Sequence, residues 1–341
     1  MIRVGLVGAG FIGRNHFNQY EKLGKRARIV AICDADPARA RGDWSGIGGN
    51  LADKTGRVQD LGAIRPYERW QDIVADAEVD MLDVTVPTFL HAEITIAALQ
   101  AGKHVLCEKP MALTTKDCDR MIAAARKARR LLMVAQVIRF WPEYVWLRQA
   151  YGDKRYGKLR SLSLRRQAFT PDWSYQSWML DPKKSGGAVL DLHVHDADYA
   201  LWLLGKPKSV YAQGYQSKGK PGRVQALWDY GKDRAVYLEG GEDYPNGFGF
   251  NMGFTAMFEK AAVVWDMVTG RPLTVFPVGG GSETPQLPQT DGYLAEIEYF
   301  LSCIENGRKP TECTPQESRD AVAVALAELK SLQTGKPVAI R

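Results

Sequence analysis

Up to about Gln136 the chain alternates short apolar runs with segments whose apolar positions recur at helical spacing. That alternation is the signature of a parallel sheet whose strands are joined by crossover helices. The runs predict strands over 3–7, 29–33, 81–86, 104–107 and 131–135, with helices over 12–23, 93–101 and 115–128. The last of these has Thr114 or Thr115 as its cap and Asp117 and Asp119 in its first turn, where acidic groups complement the helix dipole. Residues 38–64 break the pattern: the stretch is long and Gly-rich, carries Trp44, Gly46, Gly48 and Gly49, and predicts an extended loop in place of a compact second helix. After a helical bridge around 141–150, the segments 159–169, 209–215, 224–230, 235–239 and 250–258 read as strands, several of them alternating and most joined by Gly, Pro or Asn turns. These predict an antiparallel sheet. A helix over 188–204 interrupts it, and helices over 293–304 and 316–332 follow near the end. The expected fold class is therefore α/β followed by α+β: a doubly wound parallel sheet, then a mostly antiparallel sheet with flanking helices. The expected domains are 1–137 and 138–341, with the terminal helix and tail packing back on the first.

Composition narrows the function classes. The 341 residues are 45% apolar and 25% charged, an ordinary globular balance, and the formal net charge of +6 suits an anionic cofactor or substrate. No basic run interleaved with aromatic residues points to nucleic acid; the cluster at Arg126–Arg130 ends a predicted helix. Cys33, Cys107, Cys118, Cys303 and Cys313 are scattered and lack CxxC spacing, which fits a reducing compartment and no structural zinc. No apolar stretch approaches the length of a membrane span, and the chain opens on a strand in place of a signal peptide. A cytoplasmic location without a membrane partner is expected.

Three constellations carry chemistry. Gly8-Ala9-Gly10-Phe11-Ile12-Gly13 follows the first strand and opens a helix. In such a turn the first glycine allows the tight bend, the second lets a pyrophosphate approach the backbone, and the third allows close helix–strand packing. Gly8, Gly10, Phe11, Ile12 and Gly13 are thus candidate cofactor contacts. Asp34, ending the second strand, suits a ribose 2′-hydroxyl and favours NAD; Arg39 and Arg41 nearby keep NADP as the alternative. Thr85-Val86-Pro87-Thr88-Phe89-Leu90-His91 leaves another strand on the ligand side, so Thr85, Pro87 and His91 are candidate contacts for the nicotinamide half. Next, the 104–107 strand runs into Glu108-Lys109-Pro110. Ligands of α/β sheets sit outside the strand ends, and Pro110 biases Lys109 toward an extended exit. The third constellation is Gly186-Gly187 followed by Asp191, His193, His195, Asp196 and Asp198. Asp191 and His195, four apart on a helix, share a face and form a carboxylate-oriented general base. His193 and His195 resemble metal-ligand spacing, but helical residues two apart point about 200° apart, so no metal site is expected. His193 is then a substrate or supporting contact, and Asp196 and Asp198 are solvent-facing or structural.

Together, Gly8/Gly10/Gly13 with Asp34, Glu108-Lys109-Pro110, and Gly186-Gly187 with Asp191 and His195 resemble the Gfo/Idh/MocA family of glucose–fructose oxidoreductase and inositol dehydrogenase-like enzymes. The resemblance runs over nearly the whole chain, including Glu296, Phe300 and Asn306-Gly307-Arg308-Lys309-Pro310. It implies a Rossmann domain followed by an open-faced antiparallel sheet whose outer face makes oligomer contacts, here a homodimer or homotetramer. It also implies that Lys109, Asp191 and His195 form the catalytic and substrate-binding group, with Glu108 and Lys109 beside the cofactor. The long 38–64 loop departs from the compact family pattern. The reaction implied is hydride transfer between a nicotinamide and a secondary hydroxyl or ketone of a sugar, glycoside or cyclitol. One alternative keeps the NAD bound for a redox-neutral hydrolysis, elimination or epimerisation; another is a non-catalytic sensor, which the presence of both Lys109 and His195 disfavours. Trp173, Tyr175 and Trp178 are candidates to stack on a sugar ring. Arg139, Arg166, Lys183 and Lys184 are candidates to border the site and take an acidic substrate, with Tyr244 and Tyr293 behind them.

Overall fold

A parallel strand covered on both faces needs apolar side chains at nearly every position, and Met81-Leu82-Asp83-Val84 is buried throughout. It is one of six strands in the parallel sheet of the computed structural model, which describes residues 1–49, 56–216, 219 and 222–340. The chain forms two units. The first comprises Met1–Val137, Trp173–Trp178 and Gly292–Arg319; the second comprises Ile138–Asp172, Met179–Asp291 and Asp320–Arg341.

In the first unit the elements run β1 (Ile2–Val7), α1 (Phe11–Tyr20), β2 (Ala27–Cys33), α2 (Pro37–Ala40), β3 (Arg65–Tyr67), α3 (Trp70–Ala75), β4 (Met81–Val84), α4 (His91–Gln100), β5 (His104–Glu108), α5 (Thr115–Ala128) and β6 (Leu132–Ala135). The strand order β3-β2-β1-β4-β5-β6 reverses direction between β1 and β4, the switch point where such sheets bind ligands. Thr114 caps α5 by accepting from the Asp117 N–H at 3.1 Å, as its sequence suggests, and the helix closes on a left-handed Arg129. Two elements escaped the pattern. β3 is short and carries Pro66, which an edge strand tolerates, and α3 is only six residues long. The 38–64 stretch holds no helix beyond the four-residue α2; Asp43 bridges Val58, and Trp44 is buried against Phe17 at 4.9 Å between ring centroids. Residues 50–55 of that stretch lie outside the described residues.

The second unit opens with α6 (Pro142–Gly152), β7 (Leu159–Phe169) and α7 (Pro182–Ser185), then α8 (Val194–Leu204). It continues with β8 (Ser209–Tyr215), β9 (Arg223–Asp229), β10 (Ala235–Tyr244), β11 (Phe250–Phe258), β12 (Ala261–Asp266) and β13 (Arg271–Pro277). The chain then forms α9 (Gly292–Glu305) in the first unit, passes within α10 (Pro315–Thr334) into the second, and ends in β14 (Val338–Ala339). The eight strands are ordered β13-β12-β11-β7-β10-β9-β8-β14, antiparallel except where β10 lies parallel to β7. The alternation in β9 is the reason one face is covered: Val224, Ala226 and Trp228 are buried while Gln225, Leu227 and Asp229 are exposed. Tyr144 of α6 centres the core, its ring 4.8 Å from Tyr199, 5.2 Å from Phe254 and 5.7 Å from Trp265. Among the described residues no helix is long and apolar enough to cross a membrane.

Candidate active site

The cofactor cradle begins where β1 turns into α1. Gly8 takes φ +98°, and a Cβ there would lie 2.8 Å from the Thr85 backbone. A Cβ on Gly13 would fall 1.9 Å from the Gly8 carbonyl, so only glycine lets α1 approach the turn. Gly10 differs: a Cβ there meets nothing within 4 Å. The open space lies at the N-terminus of α1, where unpaired N–H groups and the helix dipole receive a pyrophosphate. Asp34 accepts from the Ala9 N–H at 2.8 Å with one oxygen and from the Asp36 N–H at 2.9 Å with the other. Burial raises its pKa against those two bonds. Each oxygen keeps a second acceptor direction for a ribose hydroxyl. The cradle therefore fits NAD. Of the two arginines that kept NADP open, Arg41 pairs with Glu68 at 2.9 Å, and Arg39 lies 5.0 Å over the Tyr175 ring.

Several expected contacts prove to be props of this turn. The Thr85 hydroxyl donates to the Gly8 carbonyl at 2.7 Å. His91 is buried, with Nδ1 2.8 Å from the Pro110 carbonyl and Nε2 2.8 Å from the Val86 carbonyl. Burial lowers its pKa, and both ring nitrogens face backbone oxygens that tie the exits of β4 and β5 together. His91 is thus corrected from a nicotinamide contact to a strut. Pro87 precedes the short 3₁₀ turn Thr88–Leu90 that leads into α4. Trp173 meets Phe11 edge-on at 5.4 Å, and a Cβ on Gly48 would lie 2.7 Å from its own Cβ. Its half-buried indole therefore packs on the fingerprint turn. Trp178 is half-buried in the same first-unit stretch, and Tyr175 is exposed beneath Arg39.

Lys109 emerges from β5 half-buried, between a buried Glu108 and a buried Pro110. Its backbone N–H donates to Glu108 Oε2 at 3.0 Å. Glu108 Oε1 lies 3.2 Å from His16 Nε2, and His16 Nδ1 lies 2.9 Å from Asp83 Oδ2. Burial works against a charge on His16, but Asp83 and Glu108 outweigh it and raise its pKa well above the ordinary histidine value. Burial likewise opposes ionisation of Glu108, and His16 and Lys109 reverse that and lower its pKa. Glu296 Oε1 lies 4.0 Å from His16 Nε2, and Tyr293 packs its ring 5.9 Å from the imidazole. His16, Glu108 and Glu296 form the group of potential metal ligands found among the described residues. The 2.9 Å contact with Asp83 is a hydrogen-bond distance, and the 3.2 Å contact with Glu108 is an ion-pair distance. The sequence reading passed over His16 and Asp83, and named Glu296 as part of the family resemblance alone, without a role at the site. The available signal was an aspartate in the middle of an otherwise apolar strand.

In the second unit the expected continuous helix over 188–204 is corrected: Val189–His193 form a π turn, and α8 starts at Val194. Such turns insert a residue and recur at functional sites. Asp196 takes Arg166 at 3.0 and 3.3 Å, Asp198 takes Arg139 through two 2.7 Å bonds, and His193 Nε2 sits 2.9 Å from Glu328. Asp196, Asp198 and His193 are 0% exposed, whereas Asp191 and His195 keep 6% and 8%. Arg139, Arg166 and His193 are thus corrected from substrate contacts to buried pairs, and neither Asp196 nor Asp198 faces solvent. Burial opposes a charge on His193, and Glu328 overcomes it and raises the pKa. Trp228 Nε1 donates to the other Glu328 oxygen at 2.5 Å, and Gly240 leaves room for His193, whose Cβ would lie 2.7 Å from a Cβ there. Lys183 and Lys184 lie on α7, and Tyr244 stacks on Phe248 at 4.1 Å.

Comparison with known proteins agrees with both halves. Residues 2–136 match the model of an oxidoreductase family with an NAD-binding Rossmann fold, and residues 144–259 match the GFO/IDH/MocA C-terminal domain. The 1,5-anhydro-D-fructose reductase of Ensifer adhaerens is 27% identical over 358 residues, covering 100% of this chain and 99% of the relative. The myo-inositol 2-dehydrogenase of Thermotoga maritima is 26% identical over 349 residues, covering 99% and 98%. A solved levoglucosan dehydrogenase in complex with NADH and levoglucosan shares the fold, with a TM-score of 0.83 at 20% identity over 99% of each chain.

Proposed function

The chain belongs to the GFO/IDH/MocA oxidoreductase family, and from that premise we propose that it oxidises a secondary hydroxyl of a sugar or cyclitol ring with NAD, or runs the reverse reduction. The substrate class rests on the two relatives that span its full length, one an anhydrofructose reductase and the other an inositol dehydrogenase. The site assignment rests on one observation above the rest. All the ionisable residues between 191 and 198 are buried, and Asp191 and His195, four apart where the π turn enters α8, retain 6% and 8% exposure against 0% for His193, Asp196 and Asp198.

The bound nicotinamide supplies the hydride acceptor. The work of this chain is placement and proton handling. Gly8, Gly10 and Gly13 with the start of α1 hold the pyrophosphate, and Asp34 holds the ribose. His195, oriented by Asp191, takes the proton from the substrate hydroxyl. The Lys109 ammonium hydrogen-bonds the same oxygen and stabilises the carbonyl dipole that develops there. The five buried free cysteines suit a reducing cytoplasm. A second copy of the chain would cover the outer face of the eight-stranded sheet, where Leu227, Met257 and Phe276 are exposed.

The test is a panel of cyclitols, anhydrosugars and hexoses offered with NAD and separately with NADP, followed through nicotinamide absorbance. Turnover with NAD on at least one ring polyol is expected. A panel without any NADH formation, run alongside ketose reduction with NADH, would overturn the assignment.

A further inference from the structure

We propose that His16 is a positioning residue for the reaction, acting through Glu108 to fix Lys109. This rests on the reading of Lys109 as catalytic, but the linkage itself stands on contacts within the first unit. Glu108 divides its two oxygens: Oε1 lies 3.2 Å from His16 Nε2, and Oε2 accepts the Lys109 backbone N–H at 3.0 Å. The opposite ring nitrogen of His16 lies 2.9 Å from Asp83 Oδ2. An imidazole hydrogen-bonded through Nδ1 and facing a carboxylate oxygen across an ion-pair contact at Nε2 restricts the rotation of that carboxylate.

The elements joined in this way give the linkage its meaning. His16 lies on α1, the helix whose N-terminus receives the cofactor phosphates, and Glu108 ends β5, the strand that delivers Lys109. Asp83 lies on β4 between them, two residues before Thr85, which props Gly8. One buried imidazole therefore ties the helix that carries the cofactor to the strand end that carries the ammonium. His16, Asp83 and Glu296 are 0% exposed and Glu108 is 6% exposed. Three buried carboxylates around one ring are costly unless a cation serves them. His16 faces Asp83, Glu108, Glu296 and the Tyr293 ring, and burial keeps water from substituting for it. A neutral side chain at this position leaves Lys109 as the cation remaining beside Glu108, and the carboxylate is then released to turn toward it.

The experiment needs a readout that does not depend on turnover. Full-length protein is reductively methylated with carbon-13 formaldehyde, and the dimethyl-lysine resonances are assigned for Lys109 through K109R. In H16Q the Lys109 resonance should shift or broaden, while the remaining lysine signals superimpose on those of the wild type. In the steady state with NAD and the best polyol of the panel, kcat should fall about 10- to 100-fold, as small displacements of a catalytic group do. KM for NAD should stay within about twofold. In a K109M background the same substitution should add no further loss, because both changes remove one function. An unmoved Lys109 resonance in folded H16Q, or a loss that multiplies fully with K109M, overturns the linkage. Should H16Q fail to fold, D83N removes a charge while keeping the side-chain shape, and the same two outcomes decide. A K109M enzyme with wild-type turnover overturns the proposed function instead, and the resonance still judges the linkage.

Discussion

Both units bury charge, and they do so in opposite ways. In the second unit three buried acids are paired one to one: Asp198 with Arg139, Asp196 with Arg166, Glu328 with His193. In the first unit a single imidazole serves Asp83 and Glu108 and lies 4.0 Å from Glu296, and the chain of contacts ends at a half-buried lysine. A one-to-one pair is closed and holds elements in place. A shared cation with an open end couples the interior to a group that can meet a ligand. The contrast teaches that burial alone does not mark the functional charge; connectivity to an accessible residue does.

The comparison is most easily broken at the closed pairs. Removing one member leaves a buried ion uncompensated, which costs about 3–5 kcal/mol. Arg139→Met should therefore lower unfolding stability by about that amount in denaturant titrations, the largest effect among these predictions. A loss below about 1 kcal/mol would show that Asp198 finds water or another partner, and the description of the pair as closed would fail. The open end should behave in the reverse manner. Lys109→Met should leave stability within about 0.5 kcal/mol, as surface-near substitutions do. It should nevertheless depress kcat/KM by about 100-fold or more, equivalent to about 2.7 kcal/mol of lost transition-state stabilisation.

The contrast also explains what could be read from the sequence. The parallel sheet was legible because its strands are continuous apolar runs, and 159–169 and 209–215 were legible because Leu, Val and Ala alternate with polar residues, while 250–258 stood out by its Phe and Met content. β12 and β13 were missed although Ala261–Asp266 alternates in burial, because two of its three outward positions, Ala262 and Val264, are themselves apolar and blur the period. The parallel pairing of β10 with β7 was illegible, since pairing partners far apart in sequence leave no local trace. Within the site, the fingerprint glycines and the strand-end lysine follow from local geometry. Arg139 could not be separated from a substrate contact by sequence, because its partner is 59 residues away. His193 posed the same difficulty: the π turn and Glu328 of a distant helix, not the spacing of the histidines, decide where its ring goes.

The His193–Glu328 pair offers a subtler test through pH. Glu328 and, behind it, Asp196 raise the His193 pKa against burial and Arg166. A histidine whose folded pKa exceeds its unfolded value binds more protons in the folded state. Its contribution is therefore complete below the unfolded value of about 6.5 and is lost as pH rises through the folded value. Melting temperatures measured from mildly acidic to alkaline pH should fall with a slope that Glu328→Gln flattens. One proton linked in this way changes stability by at most about 1.4 kcal/mol per pH unit. Identical slopes in the two proteins would mean that His193 stays neutral and that the second unit is held by packing at this point. His16 contributes a slope of the same sign, so the difference between the two proteins, and not the wild-type slope, isolates His193.

The smallest stability effect falls in the cofactor cradle, where two glycines of different function lie three residues apart in sequence. A Cβ on Gly13 would enter the Gly8 carbonyl at 1.9 Å, while one on Gly10 meets open space. Gly10→Ala should thus leave unfolding stability within about 0.5 kcal/mol, because no neighbour must move and alanine readily adopts its extended φ of −77°. The methyl group instead occupies the approach of the pyrophosphate, and the dissociation constant for NAD, followed by protein fluorescence quenching, should rise about tenfold or more, or about 1.4 kcal/mol. Gly13→Ala should unfold the turn and lose stability and binding together. Equal stability losses at the two positions would place Gly10 among the packing glycines with Gly13. An unchanged NAD affinity in folded Gly10→Ala would move the pyrophosphate away from the start of α1. Splitting stability from affinity at two residues of one short turn asks the same question as the buried charges: whether a constrained position serves the fold alone or faces a ligand as well.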